Sequence, residues 1–210
     1  MLLQGSLLRH DNVPVVSWVR VGGRCRHCGG SISVRYLLVE LATAVLVAAC
    51  FARFGFTGQA FLAAFFSAVL VTLAAIDAER RILPDRIVLP SAAIVLAGNL
   101  VLEPELWLEW ILAPLALSGF LFAVLLAYPR GMGMGDVKLA LLLGAGLGRE
   151  VAVAMAVALL SGLVVSIVLL VREGRAARKL KVPFGVFMAL GGVVALFAGE
   201  RLLDAYLTLF

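Results

Sequence analysis

Two aspartates stand where long apolar stretches of this 210-residue chain meet basic loops. Asp77 ends the uncharged run 54–76, and Asp136 follows the glycine-rich stretch 131–135. Two carboxylates that lie close together cannot readily both ionise, so they share one proton. The ionised member of such a pair can remove a proton from water as the water attacks a peptide carbonyl, and the protonated member can donate to the oxyanion and then to the leaving amine. The pair therefore predicts peptide hydrolysis without a metal.

The residues around the two aspartates leave a choice about their roles. Gly131, Gly133 and Gly135 alternate before Asp136, and we expect them to allow unusual backbone torsions and the close approach of a substrate strand. Asp85 competes with Asp77 for the catalytic role, although it follows Pro84 and could instead cap the next helix. A loop aspartate usually faces solvent, and a glycine-rich turn often only reverses the chain. The matching depth of Asp77 and Asp136 favours the catalytic interpretation.

The elements that position these residues are predicted to be membrane-spanning helices. Hydrophobic residues make up 63% of the chain and charged residues 15%, and the mean hydropathy is +1.08. The uncharged runs 54–76, 110–129 and 151–171 reach the roughly 20 residues that a spanning helix needs. The runs 87–102 and 182–199 are shorter, 36–52 is interrupted only by Glu40, and 139–148 is the shortest. In chain order the seven predicted spans are 36–52, 54–76, 87–102, 110–129, 139–148, 151–171 and 182–199.

The distribution of basic residues favours all seven crossings. Short cytoplasmic loops collect Lys and Arg. If the segment before Tyr36 is cytoplasmic and all seven runs cross, 15 of the 18 basic residues are cytoplasmic, and only Arg53, Arg149 and Arg201 are not. If the run 139–148 did not cross, the basic loop 172–181 would lie on the other side. We therefore predict an all-α polytopic bundle over residues 36–210, preceded by an irregular cytoplasmic segment, residues 1–35.

Three further features are weighed in the same way. Topology accounts for the basic balance of the chain, so a nucleic-acid partner is not needed, and anionic lipid headgroups are the expected partner of the loop 172–181. Glu40 lies inside a predicted span and is a functional candidate by default, but we favour a structural role near the interface. Lys138 is two residues from Asp136, a spacing that does not share a helical face. It either tunes the site or follows the charge bias.

Six motifs, in order along the chain, resemble the type IV prepilin peptidases, a family of GxGD membrane aspartic proteases. The sequence Gly-Met-Gly-Asp-Val-Lys at 133–138 fits the family's GxGDxK motif, and Asp77 followed by Leu-Pro-Asp at 83–85 fits its other aspartate motif. The remaining similar pieces are 11–18, 24–29, 36–40 and 182–185. The resemblance implies that Asp77 and Asp136 are catalytic and that supporting residues include Gly133, Gly135, Lys138, Asp85 and Glu40.

The resemblance also implies a substrate and a location. Members remove a basic leader peptide from type IV prepilins or from the pseudopilins of type II secretion, after a glycine, on the cytoplasmic side of the bacterial inner membrane. Many members also methylate the new N-terminus with S-adenosylmethionine. Proteolysis itself is expected to need no cofactor.

The cysteines depart from the family pattern. Members with the complete N-terminal region begin with another membrane helix and carry two CxxC pairs, whose four thiolates could bind zinc. This chain has one such pair, Cys25 and Cys28, and starts later. His10 or His27 could in principle complete a site, and Cys50 lies within an apolar run as a small core residue. Zinc binding and methylation therefore stay open.

Two other functions remain as alternatives. A small ion- or proton-coupled transporter could use the same aspartates as relays, and it would produce flux without peptide cleavage. A structural or assembly protein could use them only to cap helices, in which case amide variants would keep full function.

Overall fold

The chain forms a bundle of α-helices. The computed structural model describes residues 18, 22–24, 29–129, 131–174 and 182–208. Within these residues β-structure is limited to one isolated bridge, between Arg24 and Ser31, so the predicted all-α fold is confirmed. The helices are α1 (Val34–Phe54), α2 (Gly58–Arg80), α3 (Asp85–Leu102), α4 (Trp107–Ala127), α5 (Met134–Leu147), α6 (Val151–Glu173) and α7 (Phe184–Leu207).

Six stretches of the described residues are long and apolar enough to cross a membrane, so the chain is a multi-pass membrane protein. One of them, Met134–Glu173, contains both α5 and α6. These two helices nevertheless run in opposite directions. Helix α5 begins beside Leu83 in the loop between α2 and α3, whereas α6 runs antiparallel to α7, with Gly191 against Ala154 and Phe187 against Gly162. Among the described residues, seven helices therefore run between the two ends of the bundle, although α5 has only 14 residues.

Polar contacts end α5 and reverse the chain. Gly148 adopts a φ of +54°, a conformation that L side chains rarely take. The backbone N–H of Arg149 donates to Oε1 of Glu109 in α4 at 2.8 Å. The side-chain amide of Asn99 in α3 donates to the carbonyl of Ala145 at 2.8 Å. Backbone groups left open at a helix end need such partners, above all in a membrane.

Helix α5 is the centre of the bundle. Eight of its 14 residues are buried, and it packs against α3, α4 and α7. Gly144 lies against the backbone of Pro114 in α4, and Gly146 lies against the ring of Phe66 in α2. Small residues let helices approach closely where packing, rather than the hydrophobic effect, holds them together. The fully buried core beside α5 is formed by Phe66, Leu70, Leu73, Leu139, Leu142, Leu143 and Met188.

Helix α1 lies at the edge of the bundle. Cys50 is its one buried residue, and its Sγ lies 3.5 Å from the hydroxyl of Ser67 in α2. At the other end of α1, Arg35 pairs with Glu79 at 3.3 Å. The predicted border between residues 35 and 36 thus falls in the first turn of α1.

The reversal at Gly148 predicts a stability difference. We expect Gly148→Ala to lower the free energy of unfolding by about 1–3 kcal/mol, the usual cost of a strained backbone residue, because its β-carbon would also collide with the Glu109 carboxylate. Thermal unfolding in detergent measures this effect. The matched control is Gly119→Ala in the exposed part of α4, where a β-carbon meets no atom within 4 Å. Equal midpoints for the two variants would contradict the constraint.

Candidate active site

Asp77 lies in the last turn of α2 and its side chain is buried, with 5% of the residue exposed. The helix ends at Arg81, whose φ of +55° is rare for a residue with a side chain. The N–H of Arg81 donates to the backbone carbonyl of Asp77 at 2.8 Å. The chain therefore turns away immediately after Asp77, and the carboxylate is left at the end of the bundle, which we call the aspartate end.

Asp136 lies in the first turn of α5 and is partly exposed. Its Oδ2 accepts a hydrogen bond of 3.3 Å from the backbone N–H of Gly133, the residue that precedes the helix. A carboxylate at this position satisfies one of the N–H groups that the start of a helix leaves open. The short helix α5 thus holds Asp136 at the same end of the bundle as Asp77.

Both carboxylates line one cavity of about 850 Å³ at the aspartate end. The two groups are close enough for the charge of Asp77 to act on Asp136. The loops between α2 and α3 and between α4 and α5, together with the residues that begin α7, form the rest of the wall. The structure therefore brings together the two aspartates that were singled out from the sequence.

The start of α7 packs directly on Asp77. A β-carbon at Gly185 would lie 2.7 Å from Oδ2 of Asp77 and 3.3 Å from Cδ1 of Leu83. The backbone amides of Gly185 and Val186 lie beside the carboxylate, but they do not reach hydrogen-bond geometry at Oδ2, which is buried and has no partner among the described residues. A buried, unpartnered carboxylate oxygen is costly in a purely structural role.

The glycines before Asp136 serve close approach rather than unusual torsions. Gly131, Gly133 and Gly135 all have φ outside the positive range, and Gly133 is extended, with φ −94° and ψ 153°. The predicted unusual torsions are therefore wrong. At Gly135 a β-carbon would lie 3.1 Å from Cβ of Leu83, so the absence of a side chain lets the loop between α2 and α3 pack against the start of α5.

Asp85 and Lys138 pair with each other. The Nζ of Lys138 lies 2.7 Å from both carboxylate oxygens of Asp85. Asp85 also lines the cavity, but unlike Asp77 its side chain is 56% exposed and bound to a cation. The charge of Lys138 is thus directed to Asp85 rather than to Asp136.

Of the remaining predicted site residues, the structure describes only Glu40, which lies apart from this cavity. Glu40 is partly buried in α1 and is not among the lining residues of the cavity. Cys25 and Cys28 lie outside the described residues. Among the residues that are described, no three His, Cys, Asp or Glu side chains are grouped to hold a metal ion.

A second cavity, of about 400 Å³, lies at the opposite end of the bundle. Three of its four carboxylates pair as follows: Glu103 with the amide of Gln59, Glu109 with the N–H of Arg149, and Glu200 with Arg53 at 4.0 Å. Burial, together with the nearby charge of Glu109, raises the pKa of Glu103. This cluster is separated from the two aspartates by the length of α5.

Reasoning from the sequence missed two members of the site. Gly185 was included in a Pro-Phe-Gly motif without a role, and Leu83 only as part of the motif around Asp85. A glycine directly after Pro183 and Phe184 at the start of a predicted helix was the available signal, because such a position suggests that another group packs against the backbone.

Comparison with known proteins places the chain in a family. The model of the type IV leader peptidase family matches residues 64–170, a segment that contains both aspartates. The chain belongs to the type IV leader peptidase family. The model of the bacterial peptidase A24 N-terminal domain matches residues 4–54. The predicted family and the predicted peptidase class are therefore confirmed.

Three relatives illustrate the similarity, and each is named prepilin leader peptidase/N-methyltransferase. A Xanthomonas campestris protein is 35% identical over 94% of this chain and 70% of its own length. A Burkholderia pseudomallei protein is 37% identical over 92% of this chain, which spans 64% of that relative. A Bacillus subtilis protein is 32% identical over 96% of this chain and 82% of its own length. No solved structure shows a significant match.

The packing of Gly185 on Asp77 predicts a specific effect on this leader peptidase. If Asp77 takes part in the reaction, we expect Gly185→Ala to lower kcat about 100-fold, because displacing a reacting group by about 1 Å costs that much, and the added β-carbon would push on Oδ2 of Asp77. A peptidase assay in detergent measures the change. Gly162→Ala is the control, since its β-carbon would make an ordinary contact of 3.6 Å with Phe187. Full activity of Gly185→Ala would show that this contact does not hold the carboxylate in place.

Proposed function

We propose that the protein is a prepilin leader peptidase in which Asp77 and Asp136 form the catalytic pair. The observation that carries the proposal is the cavity at the aspartate end, which both carboxylates line. Membership of the leader peptidase family supports the same conclusion, since the matched segment, residues 64–170, contains both residues. The relatives' name supplies the substrate class.

The proposed reaction uses one proton shared by the pair. The ionised carboxylate accepts a proton from water as the water attacks the scissile carbonyl, and the protonated carboxylate donates its proton to the oxyanion. The carboxylate that took the proton from water then donates it to the leaving amine as the C–N bond breaks, while the other carboxylate takes back a hydroxyl proton. The buried Oδ2 of Asp77, which accepts no hydrogen bond from any residue that the structure describes, is suited to exchange such a proton. Oδ2 of Asp136 instead accepts from the N–H of Gly133, which orients the second carboxylate. This chemistry needs no metal ion.

The position of the cavity suits a substrate that remains in the bilayer. The cavity opens at the end of an apolar bundle, and its wall contains the apolar side chains of Leu83, Met132 and Phe184. A helical substrate could therefore stay beside the bundle in lipid while the junction between its leader and its helix reaches the aspartates. Gly133 and Gly135 add no side-chain bulk to the wall, which suits a substrate strand that approaches closely.

The finer features of the substrate and its location are part of the same proposal. The enzyme cleaves after a glycine, at the border between the basic leader and the apolar helix of a type IV prepilin or a pseudopilin. The aspartate end faces the cytoplasm of a bacterial inner membrane, because in the described part of the helices and their loops the basic residues concentrate there. They are Arg35, Arg80, Arg81, Arg86, Lys138 and Arg172, against Arg53, Arg149 and Arg201 at the opposite end. The basic leader would then lie on the side where it is made.

The relatives' names include an N-methyltransferase activity, which corresponds to methylation of the new N-terminus. In this chain the reaction would require S-adenosylmethionine as the methyl donor. The Cys25 and Cys28 pair, where zinc was considered, is outside the described residues. We therefore propose proteolysis as the primary activity and include methyl transfer as a separate readout below.

The packing of the core disfavours a transporter. A relay would have to connect the cavity at the aspartate end with the cavity at the opposite end. The core between them is packed with large apolar side chains, and besides Asp77 the buried polar residues in the described part of the chain are Ser67, Ser91 and Asn99. None of these three carries an ionisable carboxylate, so the two cavities lack the chain of charged groups that pumps commonly use.

The first test is cleavage of a prepilin-like peptide by the detergent-solubilised protein. The peptide consists of a basic leader, a glycine and an apolar helix. We expect Asp77→Asn and Asp136→Asn each to lower kcat by about 100- to 10,000-fold, the usual contribution of a general acid or base. Mass spectrometry of the products locates the cleaved bond, and a labelled methyl donor in the same reaction reports methyl transfer.

The matched control is Glu79→Gln, which removes an exposed carboxylate two residues from Asp77 that pairs with Arg35 outside the cavity. We expect it to cleave like the wild type. Cleavage at a different bond would contradict the proposed specificity. A folded wild-type protein that cleaves nothing, or amide variants that remain active, would contradict the proposed function.

A further inference from the structure

We propose that the ion pair between Asp85 and Lys138 is a positioning clasp that holds Asp136 opposite Asp77, and that neither residue of the clasp transfers protons. The inference rests on the proposed function, in which these two aspartates are catalytic. It assigns a role to Lys138, which is close to Asp136 in the sequence, and to Asp85, which competes with Asp77 for the catalytic role.

The clasp connects the starts of two helices. Asp85 is the first residue of α3, and Lys138 is the fifth residue of α5. The Nζ of Lys138 is 2.7 Å from both oxygens of Asp85, so the contact fixes direction as well as distance. The Lys138 side chain is only 28% exposed, and its neighbours Val137 and Leu139 are buried. Its stem therefore lies within the packed face of α5.

Polar contacts add to the register that close packing gives α5. Helices in a bilayer gain little from the hydrophobic effect when they associate, so packing and interhelical hydrogen bonds hold them together. At the opposite end, Asn99 of α3 donates to the carbonyl of Ala145 of α5. The clasp supplies the second attachment, and α5 is thereby held to α3 at both ends.

The clasp also constrains the loop between α2 and α3. Only four residues, 81–84, separate α2, which carries Asp77, from Asp85. Leu83 in this loop packs on Gly135, next to Asp136, and it lies 3.3 Å from the position of a β-carbon on Gly185, which itself contacts Asp77. A shift of Asp85 relative to Lys138 would therefore move a side chain that packs on the neighbours of both aspartates, Gly135 and Gly185.

The pairing keeps two unwanted charges away from the reaction. Asp85 lines the cavity beside Asp77 and Asp136, and Lys138 is two residues from Asp136. Loss of one partner would leave either a third carboxylate or a free ammonium group at the cavity. Loss of both charges would remove the attachment but leave no excess charge, so single and double variants separate the two effects.

The test compares four variants: Asp85→Asn, Lys138→Met, the double neutral variant and the charge exchange Asp85→Lys with Lys138→Asp. We expect each single variant to lower kcat about 10- to 100-fold, as expected for misplacement of a reacting group, with KM and the thermal midpoint close to wild type. An exposed ion pair contributes little to stability, so these losses would not come from unfolding. The double neutral variant should be closer to wild type than either single variant, and the charge exchange should recover kcat to within a few-fold.

Two outcomes of this comparison would overturn the clasp. Wild-type kcat in Asp85→Asn would show that the pair positions nothing. A loss as large as that of Asp77→Asn, without recovery by the charge exchange or by Asp85→Glu, would make Asp85 a catalytic residue. Glu79→Gln is again the control, because it breaks an ion pair at the same end of the bundle but outside the cavity.

A second readout does not depend on cleavage. The chain has three lysines, Lys138, Lys179 and Lys181, so acetylation of each can be followed by mass spectrometry. We expect slow acetylation of Lys138 in the wild type, at least 10-fold faster acetylation in Asp85→Asn, and equal rates at Lys179 and Lys181 in both proteins. Equal rates at Lys138 would refute the clasp even if the enzyme cleaves its substrate. Conversely, a protein without peptidase activity would refute the proposed function. The acetylation rates would still show whether Lys138 and Asp85 form the ion pair.

Discussion

The structure depends on the cost of placing ionisable groups in an apolar bundle. An ionised aspartate costs about 2.5–3.5 kcal/mol at the centre of a membrane helix and less near its ends. Asp77 is in the last turn of α2 and Asp136 in the first turn of α5, so both lie where that cost is smallest. The end of α2 and the beginning of α5 must then lie at the same depth in the membrane. The short central helix α5 and the tight turn after Asp77 satisfy this requirement.

Polar contacts occupy the ends of the helices, and glycines occupy their close crossings. Hydrogen bonds from Asn99 and to Glu109 stabilise the reversal after α5, and an ion pair joins α3 to α5 at the other end. In between, Gly144, Gly146 and Gly192 bring α5 against its neighbours. This division follows from the bilayer, where backbone groups need internal partners and helix association depends on packing.

Composition and charge patterning were sufficient to predict the helical bundle, the basic loops and both aspartates, because these properties are local to each segment. The contacts of Gly185 with Asp77 and of Lys138 with Asp85 join residues that are 108 and 53 positions apart. They depend on how helices pack, which hydropathy does not encode. The torsions expected for Gly131, Gly133 and Gly135 were wrong, and the neighbour that packs closely on Gly135, Leu83, belongs to another loop.

The middle of the bundle is much shorter than its edge. Along α7, Gly185 contacts Asp77 and Gly199 contacts Glu150, so about 21 Å of helix separates the two carboxylate levels at 1.5 Å per residue. Helix α6, with 23 residues, is about 34 Å long. The two carboxylate levels are therefore closer together than a hydrocarbon core of about 30 Å is thick. Either water enters the ends of the bundle or the bilayer thins beside it, at a fraction of a kcal/mol per ångström, so the elastic properties of the bilayer become part of the environment in which this protein works.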